Sequence, residues 1–238
     1  MNIALLTAAG SGTRMHQDIP KQFLHVDNKP VLIYTMEAFQ KHPSIDAIIV
    51  VTIDSWSEVV WAYAKQFSID KLKWVVPGGE TGQDSIRAGI QILKKELPGE
   101  DVVVMIHDGN RPLVSAEVIS DSLVTFKKYG NAVAVIPCTE VVFESEDGHA
   151  SSISTEREKL FRTQTPHTYR LDDVIWAHEA AAEKNIKGTA ATCMLMKELG
   201  KMTYFSKGSE ENLKITTLDD LKIFKALLHT RQDDWIKG

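Results

Sequence analysis

The stretch that decides the fold is Ile3-Ala4-Leu5-Leu6-Thr7-Ala8-Ala9-Gly10-Ser11-Gly12-Thr13-Arg14-Met15, near the start of the 238-residue chain. Its first six residues form an apolar run that predicts a strand buried on both faces. The small residues that follow allow consecutive backbone N–H groups to approach an anion closely. Ligands of open parallel sheets bind at the carboxyl ends of the strands, so we expect a ligand at this turn.

The alternation of strand and helix continues through the first 136 residues. Five apolar runs predict strands that are buried on both faces: Ile3–Ala8, Ala47–Thr52, Trp74–Val76, Val102–Ile106 and Ala132–Ile136. Between them, apolar residues recur at helical spacing, as at Leu32, Met36 and Phe39. We therefore predict an α/β fold, a three-layer sandwich in which helices cover a mostly parallel sheet.

The pattern changes after Pro137. Residues 138–163 carry short alternating runs, many polar groups and a turn signal at residues 146–149, which together predict a β-arm that projects from the sheet. The C-terminal part predicts helices at Asp172–Glu183 and Ala190–Leu199, a strand at Met202–Ser206 and a helix from about Leu218 to His229. No linker or internal repeat divides the chain, so we predict one domain over residues 1–238.

Composition limits the classes of function. The chain has 27 basic and 32 acidic residues, which argues against a nucleic-acid-binding protein. Cys138 and Cys193 are too few for a disulfide framework, and the chain has no CxxC pair typical of zinc sites. No apolar stretch reaches about eighteen residues, and the N-terminal run lacks the basic start of a signal peptide. We therefore expect no membrane span and a cytoplasmic protein.

The loop after the first strand differs from the two best-known phosphate-binding loops. A dinucleotide fingerprint would require a glycine where Met15 stands, and a P-loop would require Gly-Lys-Ser/Thr, which is absent. Arg14 and Lys21 place two positive charges beside the glycines. From the residues alone, two alternatives stay open: a phosphate-binding loop, or a glycine turn with two solvated basic side chains.

The whole string is more specific than its glycines. Residues 6–15, followed by Pro20-Lys21-Gln22-Phe23, resemble the nucleotide-binding loop of sugar-nucleotide pyrophosphorylases, and more narrowly that of the cytidylyltransferases acting on methylerythritol phosphate and ribitol phosphate. This resemblance implies a fold of the nucleotide-diphospho-sugar transferase type, CTP as substrate and Mg²⁺ as cofactor. It implies that Arg14 and Lys21 are catalytic. It assigns nucleotide binding to Ala8, Ala9, Gly10, Ser11, Gly12 and Thr13.

Residues 78–85 resemble the family segment that holds cytosine and ribose. By that resemblance Gly79, Asp84 and Ser85 bind the nucleotide. The alternative is a loop between strand and helix in which Asp84 or Ser85 only caps the helix. The chain departs from the family at Gly82, where an arginine is usual.

The segment His107-Asp108-Gly109-Asn110-Arg111-Pro112 is similar to the family's His-Asp-Ala-x-Arg-Pro motif. The resemblance implies that Asp108 contacts the nucleotide through Mg²⁺ and that Arg111 binds the acceptor phosphate. The alternative is that Asp108 and Arg111 pair with each other and only brace the loop. We expect His107 to be a packed residue at the strand end rather than an acid or base.

The remaining matches concern the acceptor and the assembly. Residues 155–166 resemble the end of the family's arm, which interlocks two subunits, and His167 stands where the family has glutamine. The resemblance therefore implies a homodimer in which Arg157 reaches the acceptor phosphate of the neighbouring site. Asn212-Leu213-Lys214-Ile215-Thr216 resembles an Asn-x-Lys-(Ile/Val)-Thr motif, which assigns Lys214 to the acceptor phosphate.

Two departures from the family bear on the acceptor. Glu140-Val141 stands where the methylerythritol-phosphate enzymes typically have Asp-Thr, and Ala190-Ala191 replaces two acids, although Thr189 is retained as an acceptor-binding candidate. Loss of polar partners from a tight site changes selectivity strongly. Together with Gly109, these departures favour ribitol 5-phosphate and teichoic-acid or polysaccharide synthesis. Methylerythritol 4-phosphate and isoprenoid synthesis are the alternative.

Two further classes of function are open. A sugar-1-phosphate nucleotidyltransferase that uses UTP would share the glycine loop but not the arm and Asn-x-Lys segments. A non-catalytic nucleotide-binding homologue would be expected to have lost Arg14 or Lys21, and both are present.

Overall fold

A seven-stranded sheet is the centre of this computed structural model, which describes residues 1–10 and 19–230. In spatial order the strands are β11 (Phe205–Lys207), β7 (Asn131–Pro137), β10 (Phe161–Arg170), β6 (Val103–Asp108), β1 (Asn2–Ala8), β4 (Ala47–Thr52) and β5 (Leu72–Pro77). β10 runs antiparallel to both of its neighbours, and the other neighbouring pairs are parallel. The prediction of a mostly parallel sheet is therefore confirmed.

Helices cover both faces of this sheet. They are α1 (Val31–Lys41), α2 (Ser57–Gln66), α3 (Gly82–Glu96), α4 (Ala116–Tyr129), α5 (Leu171–Glu183), α6 (Thr192–Glu198) and α7 (Leu218–Thr230). Side chains of a strand alternate between faces, so Ile3 and Leu5 pack with α3, α5 and α6, while Ala4 and Leu6 pack with α1, α2 and α4. The result is the predicted three-layer arrangement. None of the described helices is long and apolar enough to cross a membrane.

A small cluster outside the main layers packs α7 against the start of α1. Phe224 of α7 is fully buried with Val31 and Ile215. The short strands β2 (His25–Val26) and β3 (Lys29–Pro30) form a hairpin beside them. This packing fixes the segment that leads into α7, which contains the Asn-x-Lys motif.

The edge strand β5 corrects one expectation. The sequence predicts that Trp74–Val76 is buried on both faces, but Trp74 and Val75 are only half-buried. The reason is position, because β5 pairs with β4 on one side only. An apolar run alone does not separate an edge strand from a central one.

β10 is the principal strand that the sequence analysis does not predict. It lies between β6 and β7, and its pairing with β7 shifts register between Thr163 and His167. Pro166 falls inside that irregular stretch, after a cis peptide bond with Thr165. Proline within a run normally argues against a central strand, and a bulge is one of the places where it is tolerated.

The arm is shorter than predicted. β8 (Val142–Glu144) and β9 (Ile153–Thr155) form a separate antiparallel hairpin, whose turn is closed by the Asp147 carboxylate accepting from the His149 and Ala150 N–H groups. Residues 161–163 were expected in the arm but pair with β7 in the main sheet. The arm therefore ends at Leu160, whose carbonyl accepts from the Cys138 N–H at 2.9 Å.

Candidate active site

A cavity of about 590 Å³ opens at the carboxyl edge of the sheet. It is lined by the ends of β1 and β6, the first half of β10 and the start of α3. Residues of α5 and α6 and the segment before α7 complete the lining. Because β10 is antiparallel, its first half meets the carboxyl ends of its neighbours. Six of the predicted site residues line the cavity. They are Gly10, Lys21, Asp108, Arg111, Thr189 and Lys214.

The loop after β1 is fastened by Gln22, a residue that the sequence analysis did not single out. Its buried side-chain amide donates to the carbonyl of Ala8 and, at 3.2 Å, to that of Gly10. Lys21 lines the cavity next to this anchor. Ala8 and Ala9 do not line the cavity, although Thr7 and Gly10 on either side do. Gln22 therefore holds the end of β1 next to the residues around Lys21.

Four predicted residues of this loop, Ser11, Gly12, Thr13 and Arg14, lie outside the described residues. Their assignments stay predictions.

The loops after β1 and β5 touch each other over the end of β4. A Cβ atom on Gly78 would lie 2.4 Å from the Cβ of Ala9, so only glycine fits between the loops. The Gly78 N–H donates to the carbonyl of Thr52, the last residue of β4, at 2.7 Å. This close approach brings the two segments assigned to nucleotide binding together.

In the loop after β5, the N-cap of α3 is Thr81 rather than Asp84 or Ser85. The Thr81 hydroxyl accepts from the Asp84 N–H at 3.1 Å and donates to the Asp84 carboxylate at 2.7 Å. The Ser85 hydroxyl instead accepts from the Gly79 N–H at 3.2 Å and donates to the Thr81 carbonyl at 2.9 Å. The capping alternative is thus wrong for Ser85, and Asp84 takes the reciprocal position of a capping box.

Gly79, Asp84 and Ser85 do not line the cavity, but their neighbours Gly82 and Gln83 do. Gln83 joins α3 to the segment before α6. Its carbonyl oxygen accepts from both the N–H and the hydroxyl of Thr189, at 3.0 and 3.1 Å, and its amide donates to the carbonyl of Ile186. Thr189 is therefore held in the cavity wall by a residue that the sequence analysis missed.

Asp108 brings two positive charges together at the end of β6. One carboxylate oxygen lies 2.9 Å from Nε of Arg111, and the other lies 3.0 Å from Nζ of Lys214. Burial alone would raise the pKa of Asp108, but the charges of Lys214 and Arg111 outweigh it and hold the pKa below its usual value. The pairing alternative for Asp108 and Arg111 is thus present in the structure, and both side chains still line the cavity.

His107 is fully buried, as expected for a packed strand-end residue. The Thr165 hydroxyl accepts from the Asp108 N–H at 3.0 Å, so its own proton points to Nδ1 of His107, also at 3.0 Å. Nε2 then carries the ring proton and faces the Arg111 carbonyl at 3.4 Å. Burial lowers the pKa of His107 to about 3, so the ring is neutral and positions the strand end.

Asn212 ties the Asn-x-Lys segment to β10. Its side-chain amide donates to the carbonyl of Thr165 at 2.8 Å and to the side chain of Gln164 at 3.2 Å. Its backbone carbonyl accepts from the Arg111 guanidinium at 2.6 Å. These bonds of the fully buried Asn212 fix the segment that carries Lys214 into the cavity.

Arg157 is the predicted acceptor-binding residue that the cavity does not include. It lies in a short 3-10 turn, Arg157–Lys159, and pairs with the exposed carboxylate of Glu158. It is separated from the cavity of its own chain, so its predicted role in a neighbouring subunit stays a prediction.

Other cavity residues were not predicted as part of the site. Those on β10 carry polar side chains but gave no strand pattern, and those on α5 and α6 resemble ordinary helix residues. They are Thr163, Gln164, Thr165, His167, His178, Thr192, Met194 and Leu195.

Comparison with known proteins identifies the family of this chain. Residues 2–230 match the model of the family described as IspD, 2-C-methyl-D-erythritol 4-phosphate cytidylyltransferase. A relative from Lacticaseibacillus paracasei, named ribitol-5-phosphate cytidylyltransferase, is 41% identical over 98% of this chain and 100% of its own length. A Clostridium botulinum relative, named 2-C-methyl-D-erythritol 4-phosphate cytidylyltransferase, is 37% identical over 95% of this chain and 97% of its own.

A solved structure shows the same fold. The 4-diphosphocytidyl-2C-methyl-D-erythritol synthase of Anaerococcus prevotii superposes with a TM-score of 0.82 at 22% identity, covering 96% of this chain and 98% of that one. At that identity the likeness speaks for the fold alone. The family model and the two relatives carry the further step: this chain belongs to the IspD family of cytidylyltransferases.

Proposed function

We propose that the protein transfers CMP from CTP to ribitol 5-phosphate, giving CDP-ribitol and pyrophosphate. The observation that carries this proposal is the cavity itself, which is lined by three cationic residues, Lys21, Arg111 and Lys214, and by the uncharged residues 189–192. The cationic residues suit the phosphates of the two substrates, and the uncharged residues suit a polyol.

The reaction is an in-line attack of the acceptor phosphate on the α-phosphorus of CTP. A phosphate monoester is largely ionised near neutral pH, so no general base is needed. Negative charge moves onto the leaving pyrophosphate in the transition state, where fixed cations are most effective. We assign that stabilisation to Lys21 and Arg14.

Arg111 and Lys214 are the proposed anchors of the acceptor phosphate. Both contact Asp108, and both line the cavity. Lys214 is the more accessible of the two, with 42% of its side chain exposed against 11% for Arg111. We therefore propose that Lys214 contacts the phosphate directly, while Arg111 also braces the loop through the carbonyl of Asn212.

Mg²⁺ is the proposed cofactor, and Asp108 is the residue that would hold it. Among the described residues that line the cavity, Asp108 supplies the only carboxylate. One protein carboxylate is a sufficient donor set when the substrate phosphates supply the other oxygens, which is usual for Mg²⁺. When bound, the ion would neutralise charge on the triphosphate.

The acceptor wall supports ribitol 5-phosphate over methylerythritol 4-phosphate. Ala190 and Ala191, which replace two acids of the methylerythritol-phosphate enzymes, both line the cavity. Val141 lies on the arm and is 69% exposed, so it bears on the acceptor only through a neighbouring subunit. Relatives from three genera that carry the ribitol-5-phosphate name are 36–41% identical over almost the whole chain, which also supports this choice.

We further propose a cytoplasmic homodimer that supplies CDP-ribitol to the synthesis of a wall polymer such as teichoic acid. The arm supports the dimer because Val141, Phe143 and Ile153 expose 60–69% of their surface there. Apolar side chains grouped on a projecting hairpin favour contact with another protein surface.

The test is pyrophosphate release with CTP and Mg²⁺ against a panel of polyol phosphates at matched ionic strength. We expect kcat/KM for ribitol 5-phosphate to exceed that for methylerythritol 4-phosphate by at least about tenfold, or ~1.4 kcal/mol. UTP in place of CTP is the nucleotide control. Equal rates, or a preference for methylerythritol 4-phosphate, would give the isoprenoid assignment first place.

A further inference from the structure

Two polar atoms in the cavity wall are buried without a hydrogen-bond partner among the described residues. They are Nε2 of His167, on β10, and Oγ1 of Thr192, at the start of α6. Each residue is only 3% exposed, and each lines the cavity. A buried polar group without a partner costs about 1–3 kcal/mol, so such groups in a cavity wall call for an explanation.

The hydrogen bonds of His167 assign the role of its free nitrogen. Of the two ring nitrogens only Nε2 is buried without a partner, and the backbone carbonyl of Gln164 lies near enough to the ring to favour a proton on Nδ1. Burial lowers the pKa of His167 to about 4, so the ring is neutral near pH 7. With its proton on Nδ1, the ring offers Nε2 as an acceptor, which suits a hydroxyl donor.

The position of these two atoms separates them from other unpartnered groups. The hydroxyl of Ser206, on β11, is also buried and unpartnered, but Ser206 does not line the cavity. His167 and Thr192 instead line the same cavity as the uncharged Ala190, Ala191 and Met194. His167 also lies close enough to Asp108, Arg111 and Lys214 for their charges to act on its ring. An acceptor held by its phosphate at Arg111 and Lys214 would therefore bring the hydroxyls of its nearest carbons towards His167.

We propose that His167 Nε2 and Thr192 Oγ1 bind hydroxyl groups on the carbon chain of the acceptor and so select a polyol phosphate with a hydroxyl at those carbons. This inference rests on the proposed function. Both atoms are covered in this conformation, so neighbouring side chains must move aside for the acceptor to reach them. A site built to bind a hydroxyl rejects an analogue that lacks it, because its own polar groups are then left unpaired.

The experiment combines side-chain deletion with hydroxyl deletion. His167→Phe and Thr192→Val remove the polar atoms at similar volume, whereas His167→Gln and Thr192→Ser retain one. Each is assayed with CTP and either ribitol 5-phosphate or its monodeoxy analogues. We expect the unaltered enzyme to lose at least about tenfold in kcat/KM on one or two of the analogues. That loss should shrink to within about threefold in the Phe and Val variants and persist in the Gln and Ser variants.

The controls separate selectivity from damage to the fold. Ser206→Ala removes an unpartnered buried hydroxyl outside the cavity and should keep the full discrimination. The KM for CTP should stay within about twofold in all variants, because the acceptor wall does not hold the nucleotide.

The outcomes distinguish failure of the proposed function from failure of the inference about His167 and Thr192. If the unaltered enzyme uses no polyol phosphate, the proposed function fails. If it uses ribitol 5-phosphate but accepts every monodeoxy analogue equally well, the inference is overturned and the function stands. Unchanged discrimination in folded Phe and Val variants overturns it as well. If those variants do not fold, the panel with the unaltered enzyme and the Gln and Ser variants decides alone.

Discussion

Lys214 Nζ lies 3.0 Å from the Asp108 carboxylate, although 106 positions separate the two residues in the chain. The contact depends on Asn212, which ties the segment before α7 to β10, and on β6, which carries Asp108 to the edge of the sheet. An acid from the middle of the sequence and a base from near its end thus meet in the cavity. Their pairing keeps Asp108 ionised and holds Lys214 in place.

Replacing Lys214 should weaken the acceptor site selectively. Lys214→Met keeps much of the length of the side chain and removes the charge, so we expect the KM for ribitol 5-phosphate to rise about 10- to 100-fold, the range for losing one charge-assisted hydrogen bond. The measurement is steady-state pyrophosphate release with saturating CTP. Lys207→Met, which alters an exposed lysine on β11, is the matched control. An unchanged KM for the acceptor would remove Lys214 from the site.

Lys21 should affect turnover more than binding. Lys21→Ala is expected to lower kcat by about 10²- to 10³-fold because a fixed charge near the leaving pyrophosphate is lost. Lys127→Ala, on the exposed face of α4, should leave kcat unchanged. Circular dichroism checks that both variants fold. Near-normal turnover in folded Lys21→Ala would contradict the assignment of this loop, and Arg14→Ala extends the same test to the other predicted cation.

Acid should destabilise the protein before the carboxylates titrate. Burial lowers the pKa of His107 to about 3 and those of His167 and His178 to about 4. The unfolded chain then binds more protons below about pH 6.5, so each histidine removes about 1.4 kcal/mol per pH unit from the free energy of unfolding as pH falls toward 4. This stabilisation is fully present above pH ~6.5.

Chemical denaturation between about pH 7 and about pH 5 measures that slope. His178→Gln should reduce it by about one proton. His149→Gln, in the exposed turn of the arm, is the matched control for the substitution itself. A free energy of unfolding that does not vary over this range would show that the three rings are not buried in the neutral form.

Shortening the arm should abolish assembly and activity together. Because the Cys138 N–H bonds to the Leu160 carbonyl, a short Gly-Ser turn can replace residues 139–159 without straining β7 or β10. We expect this variant to fold, to be monomeric by light scattering and to be inactive. A fully active monomer would remove Arg157 from the site.

A mixing experiment tests directly whether Arg157 acts in the neighbouring subunit. Lys21→Ala and Arg157→Ala should each be inactive alone. If each site takes Lys21 from one chain and Arg157 from the other, random mixing restores about one quarter of the normal activity, since half of the dimers are hybrids with one intact site. No recovery after confirmed subunit exchange would place both residues in the same chain's site.

Much of the fold could be predicted because its signals are local. β1 and β4 are apolar runs within one residue of their observed bounds, and α7 is displaced by one residue at its end. Bulges and edges depend on neighbours that are distant in sequence, so the sequence gives weaker signals for them. β10 is the example, because its polar residues and Pro166 conceal a strand that only its two partners define.

In the candidate site, too, residues in local motifs could be predicted, whereas residues that act through distant contacts could not. Lys21, Asp108 and Lys214 stand in motifs that can be recognised by their residues, and all three line the cavity. Gln22 and Gln83 act by bonding backbone atoms of other loops, and a glutamine that does so has no distinctive neighbours in the sequence. His167 was quoted in a motif, yet its free nitrogen becomes apparent only when the strand around it is known.

β10 also constrains how this chain can evolve. Its backbone leaves the arm at Leu160, and by Thr163 it already forms the cavity wall. Insertions at the tip, near residues 145–150, leave the pairing of Phe161 with Pro137 untouched. A single residue added between Leu160 and Thr163 would turn every following side chain to the opposite face, exchanging His167 for a neighbour. The tip is therefore free to change in length, whereas the base of the arm fixes which β10 side chains face the cavity.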